Sequence, residues 1–208
     1  MRNDTDLRVP VDQESKAGQR IESARNRYSG HDFALDLLDW LKYILIAVLI
    51  GLLLVVFVIQ RNTVIGSSMV PNLHQNDQLL VEKVTKWFHG IDYGDIITVS
   101  TKNLTHRDEG PNVIKRVIGR PGDTIEVRED GVYRNGTLLT ELYLAPGTLT
   151  KVRSLEFEKV VLDNDEYFIM GDNREVSLDS RTFGPVPLNS IIGEVLLRFY
   201  PFGQFGHP

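Results

Sequence analysis

One uninterrupted apolar segment constrains the fold of this chain more than any other feature. Residues 43–59 read YILIAVLIGLLLVVFVI and contain no charged side chain. Residues 40–42 extend the segment to about 20 residues, the length that a helix needs to cross a bilayer, because the amine of Lys42 can reach back to the membrane surface. A core helix of a soluble protein seldom runs this long without a polar residue. We therefore predict a transmembrane anchor over residues 40–60.

The residues that flank the anchor predict its orientation. Ahead of it lies a polar tail, residues 1–39, and no Ala-x-Ala site follows the apolar run. This pattern favours an uncleaved anchor over a cleaved signal peptide. Arg25, Arg27 and Lys42 precede the run, whereas Arg61 alone closely follows it. By the positive-inside rule, the N-terminus lies in the cytoplasm.

Beyond the anchor, short segments rich in β-branched and aromatic residues are separated by Gly, Pro, Asn and Asp, a pattern typical of strands and turns. The predicted strands are residues 78–84, 95–99, 113–118, 124–127, 167–170 and 191–199. Asp130-Gly131 and Asn135-Gly136 are hairpin-turn dipeptides. Because no helical segments alternate with these strands, we predict a mostly β fold, an antiparallel sheet or barrel-like domain preceded by one N-terminal transmembrane helix.

Composition excludes several classes of function. The chain has 208 residues, a net charge of −5 and a pI near 5.5, which argues against a nucleic-acid binder with a basic patch. It contains no cysteine. Disulfides, thiolate metal sites and cysteine nucleophiles, including that of a sortase-like transpeptidase, are therefore excluded.

A serine and a lysine in separate motifs are the best candidates for covalent catalysis. Ser68 lies in GSSMVP (66–71) and Lys115 in KRVIGRPGD (115–123). Serine is a weak nucleophile that needs a base beside it, and lysine is a base only when its amine is neutral. Strand alternation places Lys115 on one face with two valines, where burial would lower its pKa. The alternatives are a linker for the serine motif and a solvent-facing strand lysine.

Two further segments allow both a structural and a functional interpretation. Residues 171–181, GDNREVSLDSR, follow a predicted strand. They are either a polar surface loop or a support loop with a hydroxyl that orients the lysine and an Asp–Arg pair that fixes the loop. Residues 87–91, WFHGI, are either ordinary core packing or an exposed apolar patch at the membrane interface.

Taken in order, these pieces resemble type I signal peptidases, the membrane-bound serine–lysine peptidases that cut signal peptides from secreted proteins. The resemblance covers about residues 40–200 and is carried by the anchor and by four motifs: SMVPNL (68–73), YGDII (93–97), KRVIGRPGD (115–123) and GDNREVSLDSR (171–181). A single anchor, a glycine at position 66 and a short insert are similar to the Gram-positive branch of the family. The resemblance implies a peptidase domain over residues 61–208, on the extracytoplasmic face of the plasma membrane. It also implies a small accessory β insert at about residues 124–167.

The resemblance assigns roles to individual residues. Ser68 would be the nucleophile and Lys115 the general base of a serine endopeptidase. The supporting and oxyanion residues would be Gly66, Asp172, Ser177, Asp179 and Arg181. In that set Ser177 would orient the lysine, the Asp179–Arg181 pair would brace the loop, and Gly66 would leave one oxyanion donor to be supplied elsewhere. Shallow pockets for small substrate residues would be lined by Val64, Met69, Leu73 and Ile114.

The expected partners are signal peptides of secreted preproteins, the lipid bilayer and, by proximity, the protein-translocation machinery. We expect no cofactor, metal or nucleic acid. A soluble self-cleaving repressor of related fold is disfavoured by the anchor and the acidic balance. A membrane-anchored β-domain binding module, or a catalytically inactive relative, stays open as the alternative function.

Overall fold

The computed structural model describes residues 30–88, 90–103 and 112–208, together with Gly18. Most of the predicted polar tail therefore lies outside the described residues. The helices are α1 (Gly30–Phe57), α2 (Thr85–Phe88) and α3 (Ser180–Phe183), with single 3-10 turns at Thr101–Asn103, Leu155–Phe157, Leu188–Ser190 and Phe202–Gln204. The strands are β1 (Ile59–Thr63), β2 (Gln78–Glu82), β3 (Ile96–Val99), β4 (Val113–Gly119), β5 (Thr124–Arg128), β6 (Gly131–Arg134), β7 (Thr137–Leu138), β8 (Lys159–Val161), β9 (Glu166–Met170), β10 (Val186–Pro187) and β11 (Ile191–Tyr200).

Helix α1 contains the predicted anchor. Its segment Leu35–Val55 is 21 residues long, has a mean hydropathy of 2.2 and buries none of its residues. Length and composition are therefore sufficient to cross a membrane, and an apolar surface this exposed is not that of a core helix. The helix ends at Phe57, and Ile59 and Gln60, which we had placed in the anchor, instead begin strand β1.

A seven-stranded antiparallel sheet forms most of the remaining chain. Its strand order is β1-β2-β11-β3-β4-β9-β10, so the C-terminal strand β11 lies between β2 and β3. That insertion depends on Gly193 of β11, because a Cβ there would lie 1.9 Å from the carbonyl oxygen of Glu82 on the neighbouring strand. The mostly antiparallel β fold with one N-terminal apolar helix confirms the predicted fold class.

A second, four-stranded sheet in the order β7-β6-β5-β8 lies within residues 124–161, inside the segment assigned to an accessory insert. Its tight hairpin from β6 to β7 turns at Asn135 and Gly136, whose φ angles are 53° and 80°. Both values suit the type I′ turn predicted from that dipeptide. A shared apolar cluster packs this sheet on the larger one, with Ile125 and Val132 on one side and Phe168 on the other.

Strand β4 is the element that positions the candidate site. It lies in the interior of the large sheet, paired with β3 on one edge and β9 on the other. Strands covered on both edges are buried more completely than edge strands. The burial of β4 from residue 115 to residue 119 follows from this position.

Candidate active site

The structure brings Ser68 and Lys115 together across 47 positions of sequence. Lys115 Nζ donates to Ser68 Oγ at 2.8 Å and to the carbonyl oxygen of Ile114 at 3.0 Å. Ser68 lies in the turn that follows Gly66, whose φ of +88° is a left-handed conformation that favours glycine. The serine motif is therefore a structured turn against β4 and not a linker.

Lys115 is buried, with 3% of its surface exposed. It pairs with Ile97 on β3, and Ile97 belongs to an apolar cluster that also contains Val117 and is contacted by Val113. Burial lowers the pKa of Lys115 to about 8, against the opposing influence of the carboxylates of Asp179 and Asp172. A solvent-facing lysine, the alternative left by the strand pattern alone, is excluded.

Asp172 accepts hydrogen bonds from two residues, Arg116 and Asn72, that the sequence analysis did not predict as its partners. Arg116, the neighbour of Lys115, donates from Nε to Asp172 Oδ1 at 2.9 Å and from Nη2 to Oδ2 at 2.7 Å. Asn72 donates from Nδ2 to Asp172 Oδ2 at 2.7 Å and to the carbonyl oxygen of Tyr143 at 2.8 Å. A bidentate pair of this kind fixes direction as well as distance. The network ties the serine turn, β4 and the 171–181 loop to one another.

The predicted Asp179–Arg181 pair is present and almost fully buried. Arg181 donates from Nε to Asp179 Oδ1 at 2.9 Å and from Nη2 to Oδ2 at 2.8 Å. Asp179 also accepts from the backbone N–H of Gly171 at 3.1 Å. These donors hold the pKa of Asp179 below its usual range although burial opposes them. The carboxylate therefore stays charged and anchors both ends of the loop.

A third buried arginine, Arg174, was not predicted as a site residue. It pairs with Glu141 of the small-sheet segment, donates from Nη1 to Thr150 Oγ1 at 2.7 Å, and donates from Nε to the carbonyl oxygen of Gly171 at 3.1 Å. The only sequence signal was its membership of the polar cluster. Because breaking a buried ion pair leaves a charge uncompensated, Arg174 is a strong tie between the loop and the 141–150 segment.

Ser177 is buried at 1% exposure beside the nucleophile turn, but its hydroxyl makes no hydrogen bond to the described residues. The hydroxyl lies close enough to Asp179 to help lower the pKa of that carboxyl, outside hydrogen-bonding geometry. A Cβ on Gly171 would lie 2.2 Å from Ser177 Oγ and 2.5 Å from the carbonyl oxygen of Ser68. Glycine at 171 therefore lets the loop approach the serine turn.

The four predicted pocket residues fall into two groups. Val64, Met69 and Leu73 have at most 4% of their surface exposed and belong to one apolar core cluster. Ile114 is partly exposed and packs against that cluster. Among these four residues, only Ile114 has appreciable accessible surface for a ligand.

The apolar segment at residues 87–91 also contains both exposed and buried residues. Trp87 and Phe88 of helix α2 are 70% and 78% exposed, whereas Ile91 is buried in the core. His89 lies outside the described residues. Core packing is thus wrong for the two aromatic residues and right for Ile91.

Across residues 30–88, 90–103 and 112–208, no group of three or more His, Asp or Glu side chains is placed to hold a metal ion. The chemistry of the described residues is that of a buried amine touching a hydroxyl, set beside two buried carboxylates that are each paired with an arginine.

Sequence comparisons with known proteins agree on one family. The model of the signal peptidase family, peptidase S26, matches residues 37–200. The chain is 38% identical over 166 residues to the probable signal peptidase I-1 of Synechocystis, covering 78% of this chain and 82% of that protein. It is 34% identical over 176 residues to signal peptidase I S of Bacillus subtilis, covering 81% and 92%. A crystal structure of a signal peptidase I from Enterococcus faecalis is 33% identical, with a TM-score of 0.40 over 50% of this chain and 95% of that chain.

Proposed function

The chain belongs to the signal peptidase family, peptidase S26, and from this premise we propose that it is a membrane-anchored endopeptidase that cleaves signal peptides from secreted preproteins. We infer that it cuts after small residues of Ala-x-Ala type through a Ser68–Lys115 dyad. The resemblance identified from the motifs is confirmed at the level of the family. The substrate and the dyad are the proposal.

The observation that carries the proposal is the contact of 2.8 Å between Lys115 Nζ and Ser68 Oγ, made by a lysine that burial holds at a pKa of about 8. A lysine with its ordinary pKa would be almost wholly protonated near neutral pH. With a pKa of about 8, roughly a tenth of the amines are neutral one pH unit lower. The neutral amine can accept the serine proton across the same distance.

In the first half of the reaction, Ser68 Oγ attacks the carbonyl carbon of the scissile peptide as Lys115 Nζ takes the hydroxyl proton. The resulting oxyanion needs hydrogen-bond donors, and the backbone N–H of Ser68 makes no hydrogen bond within the described residues. Collapse of the tetrahedral intermediate breaks the C–N bond. Lys115 then gives its proton to the departing amine, and an ester on Ser68 remains.

In the second half, water replaces the amine. Lys115, neutral again, takes a proton from the water as its oxygen attacks the ester carbon. The second tetrahedral intermediate expels Ser68 Oγ, which recovers its proton from Lys115. The products are the mature protein, with a new amino terminus, and the signal peptide, with a new carboxylate.

The proposed supporting residues act by fixing the dyad and by tuning its charge. Asp172 and Asp179 raise the pKa of Lys115 and so limit how far burial lowers it. Arg116 and Arg181 neutralise these two carboxylates at short range. Ser177 is proposed to orient the amine, because its buried hydroxyl makes no hydrogen bond to the described residues and is free to turn towards Lys115.

Specificity for small residues would follow from the shallow surface beside the dyad. Ile114 follows Val113 on β4 and immediately precedes the base. With Val64, Met69 and Leu73 packed behind it, a side chain much larger than alanine would have to displace core residues. This arrangement supports small residues at the first and third positions before the cut.

The proposed topology has a cytoplasmic tail over residues 1–39, an anchor over about residues 40–60 and an extracytoplasmic peptidase domain over residues 61–208, with the accessory insert at about residues 124–167. Few residues separate the end of helix α1 at Phe57 from Ser68, so the chain itself keeps the nucleophile close to the bilayer. There the cleavage sites of translocated preproteins emerge, and tethering raises their effective concentration. The exposed aromatic pair in helix α2 would rest in the interface.

Purified full-length chain in detergent tests the proposal directly. A preprotein with a single Ala-x-Ala site is the substrate, and the amino terminus of the product is sequenced. We expect cleavage after the second alanine by the wild type, and no cleavage by Ser68→Ala or Lys115→Ala. Ser154→Ala and Lys159→Ala serve as controls, because no hydrogen bond or ion pair among the described residues links Ser154 or Lys159 to Ser68 or Lys115.

Intact preprotein after incubation with folded wild-type chain would contradict the proposal. In that case the membrane-anchored binding module becomes the better account, and binding without cleavage is the result that would support it. Cleavage that persists in the Ser68→Ala variant would instead retain a peptidase but reject the dyad.

A further inference from the structure

Asn173 makes two contacts with the backbone of the nucleophile turn. Its side-chain Nδ2 donates to the carbonyl oxygen of Ser67 at 3.2 Å, and its own backbone N–H donates to the carbonyl oxygen of Ser68 at 3.0 Å. Asn173 is in turn fixed within its loop, because its carbonyl oxygen accepts from the N–H of Ser177 at 3.0 Å. Two consecutive carbonyl groups of the turn are therefore held by one residue.

The contact at Ser67 controls a group that the side chain does not touch. The carbonyl of Ser67 and the N–H of Ser68 belong to one planar peptide unit, and in a trans peptide they point in opposite directions. A donor that fixes the oxygen therefore fixes the direction of the N–H as well. The hydrogen bond also polarises the peptide, which strengthens the N–H as a donor.

This restraint matters because little else fixes the peptide. Gly66, one residue before it, has a φ of +88° and no heavy atom within 4 Å of where its Cβ would lie, so no group packs against the turn at that point. The backbone N–H of Val70 also donates to Ser67, at 3.3 Å, the longer of the two contacts at that oxygen. Gly66 itself contributes no side-chain donor.

We propose that Asn173 is a positioning residue, whose side-chain amide orients the Ser67–Ser68 peptide so that the N–H of Ser68 faces the oxyanion of the tetrahedral intermediate. The inference rests on the proposed function, since an oxyanion forms only if Ser68 is acylated. The contacts of Asn173 with the turn are with the carbonyl oxygens of Ser67 and Ser68, and not with the reacting hydroxyl. Its effect passes through one peptide plane.

The test compares Asn173→Leu and Asn173→Asp with wild type in preprotein cleavage. Both variants remove the side-chain donor at nearly constant size and leave the backbone contact to Ser68 in place. Loss of an oxyanion donor lowers kcat by about 100- to 1,000-fold, so misdirecting one is expected to lower kcat by about 10- to 100-fold. KM should stay within about twofold, because the oxyanion exists only beyond the ground state. Asn164→Leu, on an exposed turn before β9, is the control.

A second readout separates positioning from a general loss of structure. A peptide aldehyde ending in Ala-x-Ala forms a tetrahedral adduct on serine. Its affinity should fall by the same factor as kcat/KM in the Asn173 variants. The affinity of the preprotein for a Ser68→Ala background should not change when Asn173→Leu is added. In Asn173→Leu the midpoint of the pH–rate profile should also stay in place, because that variant adds no charge near Lys115; Asn173→Asp adds a carboxylate and is not used for this readout.

Each outcome decides the matter. Equal kcat in Asn173→Leu, Asn173→Asp and the Asn164→Leu control, with an active wild type, overturns the role of Asn173 and leaves the proposed function standing. Should Asn173→Leu fail to fold, the near-isosteric Asn173→Asp variant provides the comparison. A rise in KM with constant kcat in either variant, or a shifted pH midpoint in Asn173→Leu, also overturns the proposal. An inert wild type overturns the proposed function and this inference with it.

Discussion

Replacing Lys115 with methionine should make the protein more stable near pH 7 while it abolishes catalysis. Only 3% of the lysine surface is exposed, and burial lowers its pKa from 10.5 to about 8. A buried amine that is charged near pH 7 is less stable in the folded chain than in water. Methionine keeps a flexible apolar chain of similar length and removes the charge.

The size of the effect follows from the pKa shift and has a definite sign. The folded-state pKa lies below the unfolded one by 10.5 minus about 8, or about 2.5 units, which corresponds to roughly 3 kcal/mol at about 1.4 kcal/mol per unit. Between these two pKa values the unfolded chain binds more protons, so the stability of the wild type rises with pH across that window. The lysine penalty is therefore full below about pH 8 and is gone above about pH 10.5.

Two hydrogen bonds partly offset the gain in the variant. Lys115 donates to Ser68 Oγ and to the carbonyl oxygen of Ile114, and each is worth about 1 kcal/mol net. We therefore expect Lys115→Met to be about 1–2 kcal/mol more stable than wild type near pH 7. The hydrogen-bond contribution hardly changes with pH. The wild type should thus recover about 2.5 kcal/mol relative to the variant between about pH 7 and pH 10.

Urea denaturation of full-length wild type and Lys115→Met in one detergent, followed by far-UV circular dichroism, measures this difference at each pH. Lys159→Met is the control, because Lys159 is exposed and its variant should track wild type at every pH. A stability difference between Lys115→Met and wild type that does not change between about pH 7 and pH 10 would refute the reasoning. So would a variant that is less stable than wild type throughout.

Three further predictions concern the groups around the dyad. Gly171→Ala should lose most activity and stability, because its Cβ would lie 2.2 Å from the nearest side-chain oxygen, whereas Gly203→Ala, with open space, should behave as wild type in the same cleavage and urea assays. Asp172→Ala should lower the free energy of unfolding by about 3–5 kcal/mol, because it leaves Arg116 buried and unpaired. Asn72→Thr should keep preprotein cleavage and lose about 1 kcal/mol, because a hydroxyl can replace the contact to Asp172 but not the second one that the amide makes.

Each of these predictions can fail plainly. Wild-type activity in Gly171→Ala would mean that the loop can move away from the serine turn without harm. A loss below about 1 kcal/mol in Asp172→Ala would mean that solvent reaches Arg116. Inactive but folded Asn72→Thr would show that the contact with the Tyr143 carbonyl matters to catalysis and not only to stability.

The sequence predicted those parts of the fold that depend on local pattern. Strand β4 was placed to within one residue because pairs of β-branched residues, at 113–114 and 117–118, mark both of its ends. The Asn135-Gly136 turn was recognisable because only certain residues tolerate its backbone angles. Strand β1, IQRNT, was missed because four of its five residues are polar and its apolar Ile59 continues the anchor pattern, so only its pairing with β2 makes it a strand.

The sequence predicted the pairing of Ser68 with Lys115 but not the hydrogen-bond partners that surround this pair. Strand alternation predicted that Lys115 lies on the same face of β4 as two valines. Whether that face is buried depends on strands and loops that lie far away in sequence. The partners of Asp172 lie 56 and 100 residues away, at Arg116 and Asn72. No local period encodes such pairs. Arg174 was invisible for the same reason, since an arginine in a polar loop is usually exposed and this one is not.

The most direct test of the central claim is the pH dependence of kcat/KM for preprotein cleavage by the wild type, measured from about pH 6 to pH 10. If neutral Lys115 is the base, the rate constant rises about tenfold per pH unit on the acid side and levels off above a midpoint near 8. The Ser68→Ala variant, run in parallel, corrects for spontaneous breakdown of the substrate. A profile that stays flat through this range would contradict the assignment of Lys115 as the general base.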